Sequence, residues 1–515
     1  MSEATPPPPV PTDGQAPAEQ TGAAHGAQPT RGIGNVPRSS TETGKFGRLF
    51  RGLPPLALTE DQINAIVATM TDPGDGGGGG WGGTPTANDS PLPAGWTYFG
   101  QFVDHDITFD PQSLLDQAND PDALENFRTP RYDLDSLYGL GPSANPWLYQ
   151  IGDPDKLLIG ANGPEFTVRD LSRNQEGRAL IGDPRNDVHV FVSQLHLAFA
   201  LFHNRVVDLV RADPSLVTGV PATPVGGWGG GAPVTGQPTF GQIVTLVRWH
   251  YQWVVLTEFL PLLVGPDTYG QLMKRDKKGR LVAEKLKLYS VRRKPWMPIE
   301  FAAAAYRFGH SLVRDSYILN GGLSPLPVFS PAGDGNPLGD LRGSRRLPVG
   351  WEIEWHRFFD GLPTSGAETQ RTRAFDTKLS ASLGQLPPLI DQMRRSLALL
   401  NLKRGVAVEL PSGEEVAQAV AAKLGVDPAT FLVETGLGHA APLWFWFLKE
   451  AEVKASGQHL GPVAGRIVAE VLIGLAQNDK SSFLRARPEW RPTLASGTPG
   501  EFTMADLFTI AGVTL

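Results

Sequence analysis

The chain has 515 residues, 41% of them hydrophobic and 19% charged, with a net charge of −7 and no cysteine. Length and apolar content fit a soluble globular protein with a large core, and the acidic balance argues against a general binder of nucleic acid or anionic membranes. The missing thiols exclude disulfides, zinc thiolates, iron–sulfur clusters and cysteine nucleophiles.

Residues 1–45 are rich in Pro, Gly, Ala, Ser and Thr and nearly devoid of large apolar side chains. Such a tail cannot repay its ordering entropy and is expected to be disordered, leaving one large domain over 46–515. The N-terminus has neither the basic nor the apolar region of a conventional signal peptide. The most apolar run, Tyr251 to Gly265, is broken by Glu258 and Pro261 and is too short to span a bilayer. The chain is therefore expected in the cytoplasm, or exported without such a signal.

Folding is expected to start near Phe46, with a helix from Thr59, where Thr59 and Gln62 form a capping box. The glycine-rich loops at 75–83 and 226–231 lack the strand, helix and Lys-Ser/Thr of a phosphate cradle. The spacing predicts helices over 93–108, 187–212, 238–260, 297–314, 386–401, 413–424, 440–455 and 459–477, one of them capped by Ser412 and Glu415. Strand-like pieces are few, near 156–160, 165–168 and 350–354. No βαβ alternation appears. The class is mainly α, with a few short strands and long loops.

Four stretches carry chemistry. In Trp96 to Asp110, Gln101, Asp104 and His105 stand at i, i+3 and i+4 on one helix face, packed by Phe99, Phe102 and Val103 and followed by Asp106. Buried polar groups so close together must be satisfied or used. In Arg128 to Gly139, the side chains or carbonyls of Thr129, Arg131, Asp133 and Asp135 converge in an extended loop. With Asp106 they suit a Ca²⁺ ion, which takes about six to eight oxygens; an Asx-turn with a surface ion pair fits the same spacing.

The third stretch, Gly182 to Asp187, is a Pro-stiffened turn into a long helix that Asp187 can cap. There Arg185 is either structural or a fixed cation aimed into a cavity. His196 and His203, farther along that helix, read as core or hydrogen-bonding residues. In Glu300 to Val313 the alanines permit close packing against a flat object or another helix. Gly309 leaves room beside His310, and Arg307 shares its face. This suits axial ligation of a haem, or a tightly packed core histidine. Farther on, Asn401 would orient such a ligand and Arg404 would meet a propionate.

Gly100-Gln-Phe-Val-Asp-His-Asp106, Thr129-Pro-Arg-Tyr-Asp-Leu-Asp135, Gly182-Asp-Pro-Arg185, His203-Asn-Arg205, Arg307-Phe-Gly-His310 and Asn401-Leu-Lys-Arg404 occur in the order seen in the animal-type haem peroxidases. Over roughly residues 46–510 the chain resembles that family, part of the peroxidase–cyclooxygenase superfamily, and its bacterial members most. The resemblance implies a large single-domain helical haem peroxidase fold that binds haem b and Ca²⁺. It implies His105 as distal histidine, Arg185 as distal arginine and Gln101 beside the peroxide and halide position. His310 becomes the proximal iron ligand, with Asn401 bonded to its far nitrogen, and Arg307 and Arg404 become propionate partners. Asp106, Thr129, Arg131 (through its carbonyl), Asp133 and Asp135 become the calcium ligands.

Two positions depart from the family pattern. Asp104 fits one of two carboxylates that can be esterified to the family's haem, but the second position falls at Val188, so at most one ester link is expected. The next residue, a haem-bonded methionine in some members, is His189. The implied activity is reduction of H₂O₂ through a ferryl intermediate, with a phenolic, halide or thiocyanate donor, and a part in the response to oxidative stress. A fatty-acid oxygenase of the same superfamily is the nearest rival. Those enzymes place a radical-forming tyrosine three residues before the proximal histidine, where this chain has Arg307, with Tyr306 displaced by one. The second rival is a non-enzymatic haem- or calcium-binding protein, against which the pairing of His105 with Arg185 argues.

Overall fold

A computed structural model describes residues 44–72, 89–108, 125–126, 130–162, 168–223, 237–291, 295–330, 339–364, 366–384, 386 and 396–513. The two glycine-rich loops and residues 1–43 of the tail lie outside them. Gly44 already starts a strand, Gly44–Gly47, which pairs antiparallel with Glu125–Asn126 and parallel with Met297–Pro298.

Local signals set most helix ends. Thr59 accepts from the Gln62 N–H and Gln62 returns a bond to Thr59, opening α1 (Glu60–Met70). α2 (Gly95–Ile107) has no side-chain cap; the Gly95 N–H donates to the Phe358 carbonyl instead. A Cβ on Gly95 would sit 2.3 Å from the Phe359 ring, so only glycine fits there. α3 (Val190–Ala212) follows a 3₁₀ turn, Pro184–Asp187, and its cap is His189 rather than the expected Asp187.

α4 (Phe240–Val254) opens on a Thr239–Gln242 capping box. The chain then continues through a π turn, Val255–Phe259, into α5 (Leu260–Leu272). Helix therefore runs past residue 260, where the predicted helix ended, and kinks at Gly265. The wider turn accommodates a proline ring that would clash with the carbonyl four residues back in a regular helix.

The longer helices of the C-terminal part are α6 (Leu397–Ala407), α7 (Gly413–Leu424), α8 (Leu443–Lys454), α9 (Pro462–Asn478) and α10 (Met504–Ala511). α7 carries the predicted Ser412–Glu415 box. The helix expected over 386–401 starts later, at Leu397, and residues 387–395 are outside the described part.

Two strand expectations differ from the structure. The pieces near 156–160 and 165–168 correspond to an antiparallel pair, Gly160–Asn162 with Val168–Asp170, whereas Trp351–Glu354 forms no strand. The largest difference is 297–314, predicted as one helix. It is a two-residue strand, a turn of helix at Ile299–Ala302, a 3₁₀ turn at Ala305–Phe308 and a further turn at Gly309–Leu312.

α2 packs on α3, α3 carries α4 and α10, and α5 lies on α9. Phe99 and Phe102 of α2 interleave with Phe199, Tyr251 and Phe259. Each such ring stabilises the fold by about 2–3 kcal/mol through burial, and together they fix how α2 is rotated. Among the described residues no helix is long and apolar enough to cross a membrane.

The buried Glu300 carboxylate ties the broken segment to the start of the domain, accepting from the Leu49 N–H at 3.0 Å and the Phe50 N–H at 3.1 Å. Glu300→Ala leaves two buried donors without their acceptor. It should lower unfolding free energy by about 3 kcal/mol or more, read by denaturant titration; a loss under about 1 kcal/mol would mean that the N-terminal strand is held by other contacts.

Candidate active site

α2 presents Gln101, Asp104 and His105 to a single cavity of about 350 Å³, as their helical spacing requires. The facing wall comes from the broken segment, with Ala302, Tyr306, Arg307 and His310. Two imidazoles far apart in sequence thus line one space, in the size class of cofactor pockets.

His105 is buried, and its Nδ1 lies 2.7 Å from the Asn186 amide oxygen. An amide oxygen only accepts, so Nδ1 carries the proton and Nε2 keeps its lone pair. The Asn186 amide nitrogen in turn lies 3.1 Å from His196 Nδ1. Burial first, then the charge of Arg185, push the His105 imidazole down to about 3. It stands neutral, the form in which it can take a proton. Sequence reasoning missed Asn186; its one signal was its place directly after Arg185 in the turn.

Arg185 is not among the residues lining this cavity. Its guanidinium pairs with the fully buried Asp183 at 2.8 Å and donates to the carbonyls of His105 (2.9 Å) and Thr108 (2.7 Å) at the end of α2. Asp183 accepts from the Arg185 N–H to open the 3₁₀ turn, and its buried charge needs this partner. The structure therefore places the cation behind His105, where its field still reaches the ring.

On the other wall, Asn401 of α6 joins two residues of the broken segment. Its oxygen accepts from Arg307 Nη1 at 2.6 Å and its nitrogen lies 2.8 Å from His310 Nδ1. As placed, Nδ1 accepts. For Nε2 to keep a lone pair for a metal, the amide must turn over so that Oδ1 receives the Nδ1 proton, and Arg307 then gives up its bond to that oxygen. Burial and the Arg307 charge push His310 down to about 3. Arg404 is buried on α6 near enough to depress Arg307, but it is not among the lining residues.

The same contacts explain why 297–314 is not one helix. Arg307 Nε donates to the Ala302 carbonyl within the segment, and Trp444 Nε1 donates to the Arg307 carbonyl from α8; together with Asn401 they override alanine's helix preference. Asp104, which receives the Thr108 hydroxyl at 2.9 Å, is raised by burial against the pull of Arg185 and Arg307. Val188 is 44% exposed. His189 lines the cavity, 2.6 Å from the Gln101 oxygen. His203 binds Tyr138 and the Asp155 carbonyl, as a hydrogen-bonding core residue should.

Asp106, Asp133 and Asp135 each offer a carboxylate oxygen within 4.8 Å of the others. Such proximity calls for a cation or shared protons. Arg248 Nε, donating to the Asp133 carbonyl at 2.5 Å, and Gln252, donating to that of Tyr132, pin this loop to α4. Arg131 is half-buried in the same loop; Thr129 lies outside the described residues.

A family model described as animal haem peroxidase matches residues 120–412, more than half of the chain. Among solved structures the chain is similar to peroxidase A from Dictyostelium discoideum, with 15% identity and a TM-score of 0.61 over 92% of this chain and 94% of that one. It is also similar to fatty acid alpha-dioxygenases from Oryza sativa (15% identity, TM-score 0.56, 92% and 80% covered) and Arabidopsis thaliana (15%, 0.53, 92% and 76%). These likenesses show a shared mainly-α fold. No curated protein matches the chain. The haem that the family implies fits the residues present: imidazoles on facing walls, Arg307 for an acid group, and open space beside Gly309, where a Cβ would meet nothing within 4 Å. The chain belongs to the animal haem peroxidase family, a group of haem enzymes.

Proposed function

We propose that this chain is a haem-dependent peroxidase that reduces H₂O₂ and oxidises a small donor. One observation carries the reading: two neutral imidazoles, His105 buried and His310 half-buried, line facing walls of one cavity, and the first has its tautomer fixed by an amide. A haem bound there supplies the iron and the electrons that the reaction moves. His310 Nε2 would be its ligand, with Asn401 turned to accept the Nδ1 proton. Arg307 and Arg404 answer the propionates, and Asp104 forms at most one ester link, which complete haem release into acidified acetone would exclude.

Peroxide entering between the walls meets His105 Nε2, which takes the proton from one oxygen and returns it to the other as water departs. The Arg185 charge acts at one remove, opposing protonation of the ring and favouring negative charge on the departing oxygen. Three arms test the reading: H₂O₂ with a phenol, with bromide and with thiocyanate, added to the haem-loaded protein. Haem absorbance without peroxide-dependent oxidation of any donor would mark a binding protein instead.

The oxygenase reading has one observation in its favour. The Tyr306 hydroxyl is buried at the cavity with no hydrogen-bond partner among the described residues. Against it, the position three before His310 is Arg307, whose Nε donates to the Ala302 carbonyl. Oxygen uptake with linoleate, lost in Tyr306→Phe, would favour the oxygenase.

We further propose Ca²⁺ at Asp106, Asp133 and Asp135, with the Arg131 carbonyl and Thr129 completing the set. Asp106 directly follows His105, so removing the ion frees the end of α2. Chelation should lower activity before helical content falls, and calcium should restore it; full activity in a sample shown to be calcium-free would refute the site.

A further inference from the structure

His189 stands where the sequence offered no role, and its surroundings fix it from every side. The backbone around it is clamped to 341–343, through a bridge with Arg342, the Val190 N–H to the Leu341 carbonyl and the Gly343 N–H to the Val188 carbonyl. Its ring packs edge-on against Tyr98 (5.1 Å between centroids) and Phe191 (6.3 Å), which stack on each other at 4.1 Å. Its Nδ1 accepts from the Val192 N–H, capping α3. An Nδ1 that accepts leaves the proton on Nε2. That Nε2–H points at the Gln101 oxygen, 2.6 Å away.

We infer that His189 is a positioning residue that holds the Gln101 carboxamide with its oxygen engaged and its amino group turned into the cavity, one helical turn from the lone pair of His105. The wall then offers a donor beside an acceptor. A hydroperoxide matches both, because it carries an O–H and a neighbouring lone pair. A simple anion matches only the donor and meets the His105 lone pair. This deepens the peroxidase reading of the same cavity by naming what selects the substrate class. Burial pushes His189 down to about 4, so the accepting Nδ1 persists at neutral pH.

His189→Asn separates capping from positioning. Asparagine still caps α3 but is too short to reach Gln101. Two readouts avoid turnover. First, ¹⁵N NMR of histidine-labelled full-length protein, any haem kept diamagnetic by reduction and carbon monoxide, should show His189 as the Nε2–H tautomer, with its signal displaced in Gln101→Ala. Second, cyanide binding to the ferric haem-loaded protein follows a weak acid that gives up its proton and leaves an acceptor. His189→Asn and Gln101→Ala should each weaken it about fivefold or more, the scale of one hydrogen bond, and the double variant should be no weaker than Gln101→Ala. An Nδ1–H tautomer, a His189 signal indifferent to Gln101, or losses that multiply in the double variant would overturn the inference. A protein that passes both but reduces no peroxide would instead refute the proposed activity.

Discussion

His310→Ala should emerge from purification and haem addition without a stable haem band, its far-ultraviolet dichroism unchanged. Among the described residues the imidazole is the one histidine on its wall of the cavity. The fold should survive. His310 meets the Asn401 amide and the edge of the Trp444 ring, and the adjoining Gly309 looks onto open space. The expected loss exceeds ~10²-fold, above the usual effect of a partner one bond farther from a metal. Asn401→Ala should fall below it, near ~10-fold. Haem retained by His310→Ala at wild-type affinity would mean that the ligand lies elsewhere.

His105→Ala should behave in the opposite way. Haem stays, because the bonded wall is intact, but the reaction with H₂O₂ slows by at least ~10²-fold, the usual scale of a lost acid–base group. Stopped-flow absorbance on mixing with peroxide reads this directly. Asn186→Ala should lie between the two, since the ring remains but neither its tautomer nor its direction is held. A His105→Ala protein as fast as wild type would remove His105 from the chemistry. The two alanine variants fail in different measurements, so together they assign one wall to holding the cofactor and the other to the proton.

Much of this site could be read from residue spacing, and particular residues show why the rest could not. Gln101, Asp104 and His105 share a regular helix, so their common face followed from geometry. The Thr59–Gln62 and Ser412–Glu415 caps are local chemistry and appear where the sequence puts them. The broken segment around His310 was not legible, because it is held by Leu49, Trp444 and Asn401, partners that no local pattern announces. The sequence left Arg185 as either a structural residue or a cation aimed into the cavity, and the resemblance implied the second. The structure turns it to Asp183, because a buried carboxylate two residues away is the stronger demand. Asn186 and His189 act through contacts to α2, some eighty residues earlier in the chain, and only the folded arrangement shows them.

The most direct test is a crystal structure of the haem-loaded protein with data collected at the iron absorption edge. The account predicts one iron peak at bonding distance from His310 Nε2, with the porphyrin plane between that ring and His105, and no bond from iron to His105. Iron bonded to His105, both imidazoles on one face, or a porphyrin seated outside this cavity would contradict it.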